Sequence, residues 1–164
     1  MTSLMHCTAV FDETRRYRYS LSREWDTRLD QVCWVMLNPS IASSDRDDPT
    51  IRRCIDFSRQ WGYGGLVVVN LFAYVTRYPW QLMTVADPIG EFNDDAIIQA
   101  ISNRRVICAW GNIVNRRDRV TAVLTLFDQT HTRAFCLGRT RFGHPSHPVR
   151  LARRRRPRPF KKVS

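Results

Sequence analysis

The chain has 164 residues, which predicts a single domain, and 43% of them are hydrophobic, enough for a packed core. It carries 26 Lys+Arg against 15 Asp+Glu, a formal net charge of +11. An apolar run of about 18 residues and a signal-peptide pattern are both missing, which excludes a membrane-spanning protein and predicts a soluble, cytoplasmic one.

Four nearly continuous apolar runs predict buried β-strands, namely VCWVML (32–37), LVVVNLF (66–72), RVICAW (105–110) and RAFCL (133–137). Residues 17–25 alternate in polarity and predict an edge strand or a hairpin. Apolar residues at helical spacing predict helices over 50–61, 90–103 and 117–127. Strands that alternate with helices are typical of βαβ units. Residues 1–148 are therefore predicted to form an α/β domain, a three-layer α/β/α sandwich with a central, mainly parallel four-stranded sheet.

The C-terminal segment 149–164 contains eight basic residues and no acidic residue. A block of like charge is usually solvated or disordered, and it attracts polyanions such as nucleic acid. We therefore predict a flexible basic tail that contacts nucleic acid through Arg153, Arg154, Arg155, Arg156 and Arg158. A tail that only aids solubility is the alternative.

Several kinds of chemistry are disfavoured by the residues that are missing. Both lysines, Lys161 and Lys162, lie in the tail, so the predicted domain lacks the lysine of a Walker phosphate loop or of a Schiff base. The five cysteines show no CxxC spacing and are expected to be structural thiols. His144 and His147 have no evident third ligand, so we predict neither a metal nor another cofactor.

Polar, aromatic or small residues follow each of the four predicted strands. In open parallel sheets, ligands bind beyond the carboxyl ends of the strands, so these residues are expected to meet along one rim. The candidate binding residues are, strand by strand, Asn38, Pro39 and Ser40; Asn70 and Phe72; Trp110 and Gly111; and His144, Pro145, Ser146 and His147.

Individual members of this set also have structural explanations. Asn38 and Pro39 are typical of a turn, and Asn70 follows four buried residues, so its amide needs either protein partners or a ligand. Asp48 precedes Pro49 and a predicted helix, where a helix cap explains it as well as catalysis does. His144 is either a plain loop histidine or a contact to phosphate or developing negative charge.

Six motifs resemble a family of short bacterial and phage proteins that has no established biochemical role. The motifs are MLNPS (36–40), DDPTIRRC (47–54), WGYGG (61–65), VVNLFAY (68–74), AWG (109–111) and CLGRTRFGHPSHP (136–148). The resemblance extends from Tyr17 to Pro148 and, more weakly, to Phe160. It implies a family but no function.

The order LNPS, VNLF, WG and GHPSHP is also similar to the uracil-DNA glycosylase superfamily. By position, Asn38 matches the residue that orients the attacking water and Asn70 the amide that reads a pyrimidine edge. His144, Pro145 and Ser146 match a loop that holds phosphate and sugar. The resemblance implies hydrolysis of the N-glycosidic bond of a flipped base. Met36 replaces the usual glycine, and an amide at position 38 cannot act as a general base, so Asp45, Asp47 or Asp48 would have to assist.

These observations predict a protein that acts on nucleic acid, DNA rather than RNA, or on a nucleotide. Its reaction would be N-glycosidic hydrolysis, with Asn38, Asp48 and His144 as catalytic residues. The alternatives are a nucleic-acid-binding module without turnover and a base-modifying enzyme of another reaction type.

Overall fold

A computed structural model describes residues 4–112 and 116–160. Its helices are α1 (Pro49–Gln60), α2 (Asn93–Ile101) and α3 (Arg117–Gln129), and two short 3-10 helices span Pro79–Met83 and Pro148–Arg150. Its strands are β1 (His6–Phe11), β2 (Arg18–Glu24), β3 (Gln31–Met36), β4 (Gly65–Asn70), β5 (Arg105–Cys108), β6 (Ala134–Cys136) and β7 (Arg158–Pro159). All three predicted helices and all four predicted buried strands are present, with bounds shifted by a few residues.

One mixed sheet contains all of these strands, in the order β1-β2-β4-β3-β5-β6-β7. The four predicted strands pair in parallel, whereas β1 with β2, β2 with β4, and β6 with β7 pair antiparallel. The α/β class is thus confirmed, but the four-stranded, mainly parallel sheet is wrong, because the described sheet has seven strands. The prediction counted strands that are buried on both faces, and β1 and β7 are edge strands with exposed residues.

Two apolar clusters fill the space on the two sides of the sheet. Trp34 of β3 packs with α1 in one cluster, and Cys33 and Val35 of the same strand pack with α2 and α3 in the other. Successive side chains of a strand point to opposite faces, so one strand supplies both clusters. The helices therefore cover both faces of the sheet. Within the described residues, no helix is long and apolar enough to cross a lipid bilayer.

The described part of the basic segment, 149–160, lies against the domain. β7 pairs with β6, and the Phe160 ring packs edge-on against Trp110, with ring centroids 5.7 Å apart. The indole of Trp61 donates a hydrogen bond of 3.1 Å to the carbonyl oxygen of Arg155. The separation of residues 149–164 from the domain is therefore corrected for 149–160, because charge repulsion was weighed without these backbone and ring contacts. Residues 161–164 lie outside the described residues.

Candidate functional site

The chain changes direction across the sheet at the border between β3 and β5. From β3 it passes through α1 to β4 on one side, and from β4 it returns through α2 to β5 on the other side. At such a switch point a crevice opens beyond the carboxyl ends of the strands. A pocket of about 280 Å³ lies there, lined among others by Met36, Asn38, Asn70 and Trp110. We call this space the inner pocket.

A wider groove of about 850 Å³ adjoins the inner pocket. The two share five lining residues, which are Ser40, Asp48, Thr50, Arg77 and His147. Gly111, Ser146 and residues 149–151 form other parts of its wall. We call this space the outer groove. Together the two cavities extend from the buried sheet edge to the surface, and the basic C-terminal segment borders their outer end.

Asn70 places an amide at the bottom of the inner pocket. The residue ends β4 and is 1% exposed, yet its Nδ2 has no hydrogen-bond partner. The neighbouring Asn93, also fully buried, donates from Nδ2 to the carbonyl oxygens of Asn70 and Leu71 at 3.0 and 3.1 Å. A buried donor without a partner is costly, so the free Nδ2 of Asn70 is typical of a group that waits for a ligand.

Two further unpartnered donors line the inner pocket. They are Nε1 of Trp110 and Nε of Arg18, which is 2% exposed. Arg18 donates from Nη1 to the carbonyl oxygen of Ala42 at 2.6 Å. Burial lowers the pKa of Arg18 to about 10, against the opposing effect of Asp48, so the guanidinium keeps its charge at neutral pH. The pocket thus presents three hydrogen-bond donors from β2, β4 and the residues after β5.

Asn38 lies at the mouth of the inner pocket, just after β3. Its Nδ2 donates to the carbonyl oxygens of Pro39 and Thr76 at 2.9 and 2.8 Å. Both amide hydrogens are engaged in this way, which leaves Oδ1 as the acceptor of the side chain. The Asn-Pro turn that the sequence suggested is therefore present, and it also fixes the amide at the pocket.

Asp48 serves as the N-cap of α1 and lines both cavities. Its Oδ1 accepts a hydrogen bond of 2.8 Å from the backbone N–H of Ile51, and Pro49 occupies the first helical turn. The capping explanation is confirmed for this oxygen. Asp48 is also the one carboxylate among the described lining residues, beside the arginines Arg18, Arg77 and Arg150. The combined cavity is therefore positively charged and suits an anionic ligand.

His147, rather than His144, borders both cavities. Its Nδ1 accepts a hydrogen bond of 3.4 Å from the backbone N–H of Val149, so the neutral ring carries its proton on Nε2. Burial lowers the pKa of His147, Asp48 opposes this shift, and Arg150 adds to it. Burial and Arg117 also lower the pKa of His144.

Other predicted site residues stabilise the surrounding loops. The carbonyl oxygen of Pro145 accepts a hydrogen bond of 2.8 Å from the N–H of Gly111 and so joins the loops after β5 and β6. Pro39 turns the chain and accepts hydrogen bonds from Asn38 and from the N–H of Thr76. Neither proline lines the inner pocket or the outer groove.

Phe72 and His144 also lie elsewhere. The ring of Phe72 is fully buried in the cluster with α2 and α3, and the guanidinium of Arg116 lies 5.2 Å from its centroid. His144 is part of the turn after β6, where its carbonyl oxygen accepts a hydrogen bond from the N–H of Thr140. Of the predicted catalytic residues, Asn38 and Asp48 therefore meet at the pocket, and His144 does not line it.

Sequence reasoning missed Arg18, Thr76 and Arg77, all of which line the inner pocket. Arg18 lies in the segment predicted to be an edge strand, where an arginine is expected to face solvent. Thr76 and Arg77 follow β4 by several residues, beyond the stretch read as the strand end. The single available signal is the isolated arginine within the apolar, acid-free segment 66–86.

The described residues contain no group of three or more His, Cys, Asp or Glu that could hold a metal ion. The arrangement consists instead of amides, an indole, arginines, one carboxylate and one histidine. Such groups bind a planar, hydrogen-bonding ligand with a negatively charged part.

The fold and the site define a class, an α/β protein with a polar pocket at the carboxyl ends of its central parallel strands. Within that class, the chain belongs to DUF1643, a family of proteins of unknown function, whose model matches residues 18–149. This confirms the predicted membership in a family without an established function. No match was found among curated proteins or among solved structures. The resemblance to uracil-DNA glycosylases therefore rests on the sequence motifs alone.

Proposed function

We propose that the protein binds a nucleobase in the inner pocket and the attached sugar and phosphate in the outer groove, and that it hydrolyses the N-glycosidic bond between them. The unpartnered, fully buried amide of Asn70 is the observation that carries this proposal. An amide offers a donor and an acceptor side by side, as the edge of a pyrimidine requires.

The size of the inner pocket supports a base as its occupant. Its volume of about 280 Å³ is near the lower limit of ligand pockets, which suits one planar ring better than a whole nucleotide. Asn70 Nδ2 and Trp110 Nε1 would donate to the carbonyl oxygens of the base. Each such hydrogen bond satisfies a donor that has no partner in the described structure of the free protein.

The outer groove supports binding of the phosphate. Arg77 and Arg150 line it, and the N–H at Nε2 of His147 is a neutral donor beside them. A phosphate on these groups would hold the sugar at the junction of the two cavities. Asn38 and Asp48 lie at that junction.

In the proposed reaction, Asn38 Oδ1 orients a water molecule toward C1′ of the sugar. The water oxygen forms a bond to C1′, the bond from C1′ to the base nitrogen breaks, and the bonding electron pair leaves with the base. Asp48 accepts the proton that the water releases. Asn70 and the buried cation of Arg18 stabilise the negative charge on the departing base, which is strongest in a site shielded from water.

Base binding without turnover is the second candidate. It is favoured by the amide at position 38, which accepts a hydrogen bond but takes no proton, and by the use of Asp48 Oδ1 as a helix cap. The two candidates share the pocket and differ in whether the bond breaks.

The test uses oligonucleotides that carry uracil or one of several modified bases, in single-stranded and duplex form. N-glycosidic hydrolysis leaves abasic sites, which alkali converts to strand breaks. We expect Asn38→Ala to abolish the breaks and Gln99→Ala, which replaces an exposed amide on α2, to leave them unchanged. Saturable binding without breaks would favour the second candidate, and the absence of both would refute the base-binding proposal.

A further inference from the structure

Large apolar side chains are exposed next to the inner pocket. Tyr78, Trp80 and Met83 are 58%, 63% and 45% exposed. They belong to the segment around the 3-10 helix Pro79–Met83, and Pro79 itself lines the inner pocket. Exposed aromatic residues beside a binding site are typical of a contact surface for a partner.

The two aromatic rings lie side by side on a fixed support. The centroids of Tyr78 and Trp80 are 6.5 Å apart, and their planes are inclined by 36°. Thr76 Oγ1 accepts a hydrogen bond of 2.9 Å from the N–H of Tyr78, and Leu82 is buried in the core. The carbonyl oxygen of Thr76 accepts the hydrogen bond from Asn38, so the support is joined to the pocket.

The charge around the rings favours an anionic partner. Residues 74–86 contain Arg77 and no acidic residue. Arg77 lines both cavities, so it lies between the rings and the proposed phosphate position. A polyanion with planar rings satisfies both features, because aromatic side chains stack on any base and arginine contacts the phosphates.

We propose that Tyr78 and Trp80 form a stacking surface for the bases of a single-stranded nucleic acid whose neighbouring base occupies the inner pocket. This inference rests on the proposed base binding and names its substrate class: a polymer strand rather than a free nucleotide. Stacking on one exposed ring is expected to raise affinity for the strand about 10-fold.

The experiment compares the affinity for deoxyuridine monophosphate with that for an eight-residue single strand, measured with both deoxyribo- and ribo-oligonucleotides. Trp80→Ala should weaken strand binding about 10-fold and leave mononucleotide binding unchanged. Trp80→Phe, which keeps an aromatic ring, should restore most of the loss. Phe92→Ala serves as the matched control, because Phe92 is 55% exposed on another surface, beside Tyr19.

Several outcomes would overturn this inference. Strand binding that is no tighter than mononucleotide binding, or that is equal in Trp80→Ala and wild type, leaves the rings without a role in stacking. Self-association of the wild type that Trp80→Ala abolishes would assign the surface to a second copy of the chain. A protein that binds neither probe would refute the proposed base binding itself, which distinguishes that failure from the others.

Discussion

The two buried asparagines Asn70 and Asn93 should respond to substitution in opposite ways. Asn70 carries an amide donor without a partner, whereas the amide of Asn93 donates two hydrogen bonds to backbone carbonyl oxygens. An unsatisfied buried donor costs about 1–3 kcal/mol, and a backbone acceptor that loses its donor costs a similar amount. The same residue type, in contact and equally buried, thus separates a binding group from a structural one.

Asn70→Val removes the unsatisfied donor and places a β-branched residue in β4, where such residues are favoured. We expect the free energy of unfolding to rise by about 1 kcal/mol, because the penalty of the free donor outweighs the slightly poorer packing of a shorter side chain at the open pocket. For a chain of this length, that corresponds to an increase in Tm of roughly 2–4 °C. Binding of deoxyuridine monophosphate should be lost at the same time.

Asn93→Ala is the control within the same cluster. It removes both hydrogen bonds to the backbone of residues 70 and 71, so we expect the free energy of unfolding to fall by about 2–3 kcal/mol. Urea unfolding at constant m-value measures both variants. If Asn70→Val destabilises the protein as much as Asn93→Ala does, the Asn70 amide is satisfied within the fold, and the argument that it waits for a ligand is refuted.

Further predictions concern the cap, the C-terminal segment and pH. Asp48→Asn keeps a side chain that caps α1 and should change stability by only a few tenths of a kcal/mol while abolishing any base release, whereas Asp48→Ala should lose about 1 kcal/mol in urea unfolding as well. Phe160→Ala removes the half-buried ring that packs on Trp110 and should cost about 1–3 kcal/mol and weaken base binding, both measurable on one purified variant. Because the folded-state pKa of His147 is lowered, the unfolded chain binds more protons as the pH falls below about 6.5, so stability should decrease there, and less so in His147→Gln; equal pH profiles of the urea midpoint would contradict this. Replacing the exposed arginines of the C-terminal segment with glutamine should lower the salt dependence of strand binding, by about 0.7 in the logarithmic slope for each lost phosphate contact; the residues are Arg153, Arg154, Arg156 and Arg158.

The site was partly predictable because two of its residues end buried strands. Asn38 and Asn70 follow apolar runs at the positions where parallel strands direct their loops toward one crevice. The choice between His144 and His147 was not predictable, because both lie in one loop and its path depends on hydrogen bonds with distant residues. The N–H of Gly111 on the carbonyl oxygen of Pro145 is one of these.

The sequence by itself determined the central part of the fold. Apolar periodicity is a property of each segment, and it reports how deeply that segment is buried, so it located the four parallel strands and the three helices. The tertiary structure alone decided which side chains share a cavity. Arg18 reaches the inner pocket from a strand that pairs antiparallel with β4, and Phe160 supports Trp110 from a distance of 50 residues along the chain. Such contacts depend on how distant segments pack together, which no local pattern of polarity records.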